Sequence, residues 1–107
     1  MSRRYLAFVP INEQGMAEEN MGVEHSPNIL EYIISPEEFR RFCGSGAMER
    51  INAACGILLD EYEDDIIPTH GLAAALDIAR RPDARLEVIT RALEDALRLG
   101  TYVSLYL

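Results

Sequence analysis

The chain reads as an α+β domain: a small three-stranded, mostly antiparallel sheet, made of two N-terminal strands and one C-terminal strand, with about four helices between them packed on one face. Three observations predict it. Segments 4–11 and 29–34 are rich in aromatic and branched side chains, and segment 101–107 alternates Val103, Leu105 and Leu107 with Tyr102, Ser104 and Tyr106. The stretch between the second and third of these carries apolar residues at the three-and-four spacing of helical faces. Finally, 107 residues that are 49% apolar and 26% charged suit one domain with a core of its own and are too hydrophobic for a disordered chain. The expectation is a single domain over 1–107.

The first strand, 4–11, ends at or near Pro10, which places it at an edge or terminates it. From 12 to 28 the chain holds Gly15, Gly22, Pro27 and four glutamates without periodicity, so this region is predicted to be a mobile loop. The second strand, 29–34, follows closely enough that antiparallel pairing with the first is the natural outcome. Ser35-Pro36-Glu37-Glu38 then has the form of a helix start, with Ser35 as cap, Pro36 in the first turn and Glu38 reaching back to the cap. That helix runs over 36–43 and stops at Gly44-Ser45-Gly46.

A second helix is predicted over 46–63, with Met48, Ile51, Cys55, Leu58, Leu59 and Tyr62 on one face, weakened or kinked at Gly56. Thr69 caps a third, whose buried face is Leu72, Ala75, Leu76 and Ala79 and which ends at Arg80-Arg81-Pro82. Asp83 caps the last, with Leu86, Ile89, Leu93 and Leu97 as its stripe and Gly100 in the left-handed position after it. The tyrosines of the closing strand would offer a partner surface if their face is open, or pack under helices if it is not.

The formal charge is -8, and it is unevenly placed: +2 over 1–11, -4 over 12–27, -6 over 28–68, and zero over 69–107. A field of that sign repels phosphate backbones and attracts basic proteins, so nucleic acid is excluded as a direct ligand. All ten cationic side chains are arginine, which reads as the codon bias of a GC-rich bacterial genome. Cys43 and Cys55 lie far from any histidine cluster, which predicts two reduced, mostly buried thiols and no zinc site or other metal centre. The apolar run after the basic start is short and broken by Pro10 and Asn12. No signal peptide or membrane span is expected, and the cytoplasm is the default compartment.

The charge peaks at Asp60, Glu61, Tyr62, Glu63, Asp64 and Asp65, which the 46–63 register places at a helix C-terminus. Acids there face the negative end of the helix dipole and repel one another, a cost that is easier to understand if the charges serve a cationic partner. The run fails as a calcium loop, because position 65 is Asp and oxygen ligands do not alternate through it. Asp60 with Asp64, or Glu61 with Asp65, have the spacing of paired carboxylates, but nothing forecasts a cleft around them. The other reading of the run is a solvated acidic face. His25 and His70 are the available bases; with no GxSxG, HExxH, P-loop or GxGxxG, no catalytic residue is assigned and no cofactor is expected.

Residues 45–52, Ser-Gly-Ala-Met-Glu-Arg-Ile-Asn, then 56–67, Gly-Ile-Leu-Leu-Asp-Glu-Tyr-Glu-Asp-Asp-Ile-Ile, and the closing 96–103, Ala-Leu-Arg-Leu-Gly-Thr-Tyr-Val, resemble a pattern in small bacterial proteins. Some of these are thought to be immunity proteins of polymorphic or contact-dependent toxin systems. The resemblance covers 28–107 and implies a cytoplasmic inhibitor whose acidic residues cover the basic site of a cognate toxin. The sequence thus points to a non-enzymatic protein-binding module that meets a basic partner through Asp60, Glu61, Glu63, Asp64 and Asp65, with Tyr62 as an aromatic anchor. The alternatives are a structural protein that self-associates, as a homodimer, through the last strand, and a small hydrolase using His70.

Overall fold

Four strands form one antiparallel sheet in the computed structural model, which describes residues 5–23, 25–60 and 64–107. In chain order the elements are β1 (Tyr5–Pro10), α1 (Glu13–Asn20), β2 (Ile29–Ile34), α2 (Pro36–Gly44), α3 (Ala47–Cys55), β3 (Asp65–Ile67), a 3-10 turn (Thr69–Gly71), α4 (Leu72–Ala79), α5 (Glu87–Leu99) and β4 (Val103–Tyr106). The α+β class is as expected. The strand count rises from three to four, because β3 emerges from the acidic run, and the helix count from about four to five, because α1 forms within the expected loop.

The spatial order is β2-β1-β4-β3. β1 and β2 pair antiparallel along their whole length, from Tyr5 opposite Ile34 to Pro10 opposite Ile29. β4 lies between β1 and β3, with Leu105 facing both Ala7 and Asp65. The last strand is therefore interior, and Val103, Ser104 and Leu105 are buried; the edges are β2 and β3. This removes the ground on which self-association through the last strand was expected.

Alternation along the strands separates two faces. One carries Ala7, Val9, Ile34, Val103, Leu105 and Ile67, which join Ile89, Leu93 and Ala96 of α5 in the main core. Two side-chain contacts tie helices to this face: the Tyr5 ring stacks on Phe39 of α2 at 3.9 Å, and the Tyr32 hydroxyl donates to Asp95 of α5 at 2.5 Å. The opposite face carries Leu6, Phe8, Tyr106 and Ile66, and α1 covers only part of it. Helices thus lie on both faces, not one. No helix among the described residues is long and apolar enough to cross a membrane.

Several helix boundaries differ from the periodicity, each for a physical reason. α3 ends at Cys55 because Gly56 turns left-handed (φ 67°) and its amide bonds back to the Asn52 carbonyl. Asn52 then holds the returning chain, its side chain donating to the Leu59 carbonyl at 2.9 Å and accepting from the Leu59 amide at 2.7 Å. Leu59 is buried as expected, but Leu58, placed on the same stripe by the register, is 82% exposed. Among the described residues, the predicted helix 46–63 is therefore a nine-residue helix followed by a non-helical return over 56–60, and 61–63 lie outside the described residues. Thr69 does not cap α4; its hydroxyl donates to the Thr101 carbonyl at 2.6 Å and locks the turn to the start of β4. The residues forecast for the buried face of α4 are the buried ones, and Gly100 does adopt the left-handed cap (φ 72°).

The caps of α2 and α5 are joined. Ser35 accepts the Glu38 amide at 3.1 Å, as the sequence predicts, but Glu38 does not reach back. Its buried carboxylate crosses to α5 and accepts the amides of Val88 at 3.1 Å and Ile89 at 2.8 Å. Asp83 accordingly has no capping role: α5 starts at Glu87, and Leu86 before it supplies no side-chain cap. A carboxylate on first-turn amides is a charge-assisted bond at the favourable end of the helix dipole. Glu38→Ala should lower stability by about 3 kcal/mol by leaving one buried and one part-buried donor unmet, and Glu38→Gln by about 1 kcal/mol. Urea unfolding with an unchanged slope measures both; a loss below about 0.5 kcal/mol for the alanine variant would remove Glu38 from this role.

Candidate functional site

Of the six residues expected to meet a partner, Glu61, Tyr62 and Glu63 lie outside the described residues. Asp60 is exposed, with its backbone in an isolated β-bridge after the Leu59 return. Asp64 and Asp65 lead into the edge strand β3 instead of closing a helix, so these two acids are not aligned against a helix dipole. Both also hold backbone. Asp64 accepts the Leu107 amide at 3.2 Å, and Asp65 accepts the amides of Leu58 at 3.0 Å and Ile66 at 2.8 Å.

The surface these acids border is built largely by α1. Its sequence, Glu-Gln-Gly-Met-Ala-Glu-Glu-Asn, has no apolar stripe, and tertiary hydrogen bonds do the work a stripe would do. Asn12 caps it by accepting the Gly15 amide at 2.8 Å. Glu18 accepts the Ser26 hydroxyl at 2.5 Å and the Asn28 side-chain amide at 3.2 Å, and the Ile11 amide donates to the Asn28 carbonyl at 2.9 Å. Gly15 lies so close that a Cβ there would come 2.0 Å from the Asn28 carbonyl oxygen, so this position accepts only glycine. The expected mobile loop over 12–28 is, among its described residues, a helix clamped to the head of β2.

Set against the sheet, α1 has concavities on either side of Glu19 and Tyr106. The first is a groove of about 340 Å³ between the end of α1 and β3, where Glu19, Asn20, Asp64, Asp65, Ile66 and Tyr106 meet. The second, of about 320 Å³, is floored by Leu6, Phe8 and Tyr106 and walled by Glu19, Glu31 and His25. Phe8 and Tyr106 meet edge to face at 5.1 Å. His25 keeps its place in the wall with a left-handed backbone (φ 56°).

Glu19 is the buried charge of this region. It is 9% exposed; its Oε2 accepts the Tyr106 hydroxyl at 3.5 Å, the Tyr102 hydroxyl also interacts with its carboxylate, and its buried Oε1 has no hydrogen-bond partner among the described residues. Its charge is felt by both tyrosines of β4. Burial first, and then the Glu19 carboxylate, push the Tyr102 phenol up to about 12, and the Tyr106 phenol is raised by the same two causes in the same order. Both hydroxyls therefore stay protonated and act as donors near neutral pH. His70 is exposed in the 3-10 turn, and no group of three or more His, Cys, Asp or Glu among the described residues is arranged to hold a metal ion. Cys55 is buried and donates weakly to the Gly71 carbonyl; burial raises its thiol pKa.

The chain matches no protein-family model, no curated protein and no solved structure.

Glu19, Phe8 and Glu31 carry no mark of a site in the sequence. The tyrosine row of the last strand was visible as a surface, but Glu19 is one of four glutamates in an aperiodic stretch and carries no local mark.

The clamp on α1 should respond to acid. The hydrogen bonds from Ser26 first, then Asn28, hold the Glu18 carboxyl below its ordinary value of 4.5. A depressed folded pKa contributes stability above the unfolded value and loses it as pH falls through the folded one. Amide exchange in α1 should therefore speed up below about pH 4.5, ahead of global unfolding. In Glu18→Gln the amides should already exchange faster at pH 7 and show no such step. A wild-type α1 whose exchange, corrected for the intrinsic rate, does not change down to pH 3 would overturn the assignment.

Proposed function

We propose that this chain is a non-enzymatic protein-binding module, an immunity or antitoxin-like inhibitor that meets a basic partner through an acidic surface made by the 60–65 run together with Glu19. The observation that carries the reading is convergence: carboxylates from two separate segments, Glu19 of α1 and Asp64 and Asp65 at β3, line one groove, with Tyr106 and Ile66 as aromatic and apolar contacts. Acids around an apolar centre beside a sheet edge suit a cationic protein surface, where charge speeds encounter and buried rings supply affinity. The uneven charge of the chain, -10 over 12–68 against zero over 69–107, orients that encounter. The resemblance to small bacterial immunity proteins points to the same class of partner, a toxin with a basic active site, and to the cytoplasm as the place of action.

A second reading is self-association through β2. This edge is six residues long and presents Ile33 at 59% exposure, whereas β3 is short and bordered by acids. Light scattering separates the two, because a monomer independent of concentration removes the second.

The test of the first reading is retention of a partner from the protein's own host, followed by direct affinity measurement with that partner. Changing Asp60, Glu61, Glu63 and Asp64 to their amides keeps an acceptor oxygen for the Leu107 amide, while Asp65, whose two oxygens accept the separate amides of Leu58 and Ile66, is left unchanged because an amide there would lose one of the two bonds. The expected result is a loss of at least about tenfold in affinity at low salt and a flatter salt dependence. Unchanged affinity and unchanged salt slope in the neutralised variant would remove the acidic run from the interface.

A further inference from the structure

The two edges of the sheet are built differently, and the open side of β2 has the form of a template for another strand. We infer that the chain pairs antiparallel with a second copy of itself through β2, on a two-fold axis at Ile33. Ile33 then lies opposite the partner's Ile33, and Glu31 opposite the partner's Ser35. The inference rests on self-association through β2, the second reading above, and adds the register, which fixes what each side chain meets.

Backbone bonding decides which groups are on offer. The Ile11 amide bonds to the Asn28 carbonyl at 2.9 Å, and the β1–β2 register runs without a break from Tyr5 opposite Ile34 to Pro10 opposite Ile29. Bonded and unbonded pairs alternate in an antiparallel ladder. Leu30, Tyr32 and Ile34 therefore bond β1, while Ile29, Glu31 and Ile33 turn their amides and carbonyls to the open edge. The Ile29 amide is taken by the Ser26 carbonyl at 3.2 Å, which leaves Glu31 and Ile33, with Ser35 next in the same phase. No proline, glycine or bulge interrupts the strand. The bond from Tyr32 to Asp95 holds it from the core side, so the edge is ordered before a partner arrives.

Side chains choose the occupant and the register. Ile33 is 59% exposed, and Glu31 is the one charge on β2. An axis at Glu31 would set two carboxylates opposite each other, and an axis at Tyr32 would set Ile33 opposite Glu31 with the carboxylates about 7 Å apart along the strands. An axis at Ile33 separates them by about 13 Å, beyond the screening length of about 8 Å at physiological salt, and joins the two exposed branched side chains. One further along would oppose the strand to α2, which starts at Pro36, whereas Ser35 before it is still extended (φ -68°, ψ 154°). A copy of the chain meets all these conditions at once, because a two-fold axis presents the same patch on both sides. A cationic chain suits the acids of β3 and finds a single carboxylate here. A ladder over 31–35 buries less than the roughly 800 Å² per partner of a stable interface, so the expected dissociation constant is about 10 to 500 µM.

The experiment is sedimentation of the whole chain from about 5 µM to about 1 mM, in about 0.1 M salt, on wild type, Ile33→Lys, Ile33→Glu and an equimolar mixture of the two variants. Ile33 is exposed, so both substitutions leave the core intact. The wild-type chain should associate reversibly to a dimer. Each variant alone sets like charges opposite each other, which should raise the dissociation constant at least about tenfold. The mixture should associate more tightly than either variant alone, because lysine then faces glutamate across the axis. A wild-type monomer at every concentration would overturn this inference together with the reading it rests on. Association that survives Ile33→Lys, as it would if that lysine faced Glu31 across an axis at Tyr32, overturns the register and leaves the reading standing. A mixture no tighter than its components does the same.

Discussion

The Glu38 carboxylate at the head of α5 is the contact on which the arrangement of the helices depends. A helix start leaves amide donors unmet, and α5 has neither a side-chain cap at Leu86 nor a cap from Asp83. Those donors are met from α2, about fifty residues earlier in the chain, by a carboxylate that is itself buried. The bond fixes where α5 begins and so how it crosses the sheet. From that placement follow the burial of Ile89 and Leu93 on the sheet and the approach of Asp95 to Tyr32, while α4, packed on α5, brings α3 along. A polar contact of this kind specifies position more than it adds stability, because the alternatives leave a charge buried without partners.

The opposite face of the sheet follows another rule. There the covering helix, α1, has too few apolar residues to be held by burial, and side-chain hydrogen bonds hold it from its N-cap, Asn12, to its last turn, where Glu18 meets Ser26 and Asn28. Beyond that turn, Asn20 and Gly22 stand over the sheet with concavities on either side of Glu19. An element held by hydrogen bonds and not by an apolar stripe leaves apolar sheet surface accessible, which a helix with a full apolar stripe would have covered. These concavities are thus a consequence of how α1 is held.

How much of this was legible in the sequence depends on which physical term decides each element. β1, β2, β4, α2, α4 and the Gly100 cap are set by alternation, helical spacing and terminal residues, and those signals are local. The 46–63 helix failed because apolar spacing at Leu58, Leu59 and Tyr62 continued past Gly56, while the left-handed turn at Gly56 and the two Asn52 bonds to Leu59 favour a non-helical return. α1 failed in the other direction: its stabilisation comes from Ser26 and Asn28, residues outside the helix, so no window within it could reveal it. The acidic run was visible as charge but not as an approach to a strand. Glu19 was invisible, since its burial arises only when α1 meets β4.

The placement of that run at β3 bears on the choice between a foreign partner and a second copy of the chain. A free sheet edge exposes unpaired backbone groups and invites strand pairing, and short length and charge are the usual means of blunting it. β3 has three residues, with Asp64 and Asp65 at its start. Two copies meeting at this edge would bring the same acids together and repel each other, whereas a cationic chain would be attracted by the very charges that exclude the copy. The backbone duties of Asp64 and Asp65 sharpen the point, because acids that hold Leu107 and Leu58 are fixed in position and present their charge without an added ordering cost. The same residues that end the sheet therefore discriminate against self-pairing there, which leaves β2, with Ile33 exposed, as the edge through which two copies would meet.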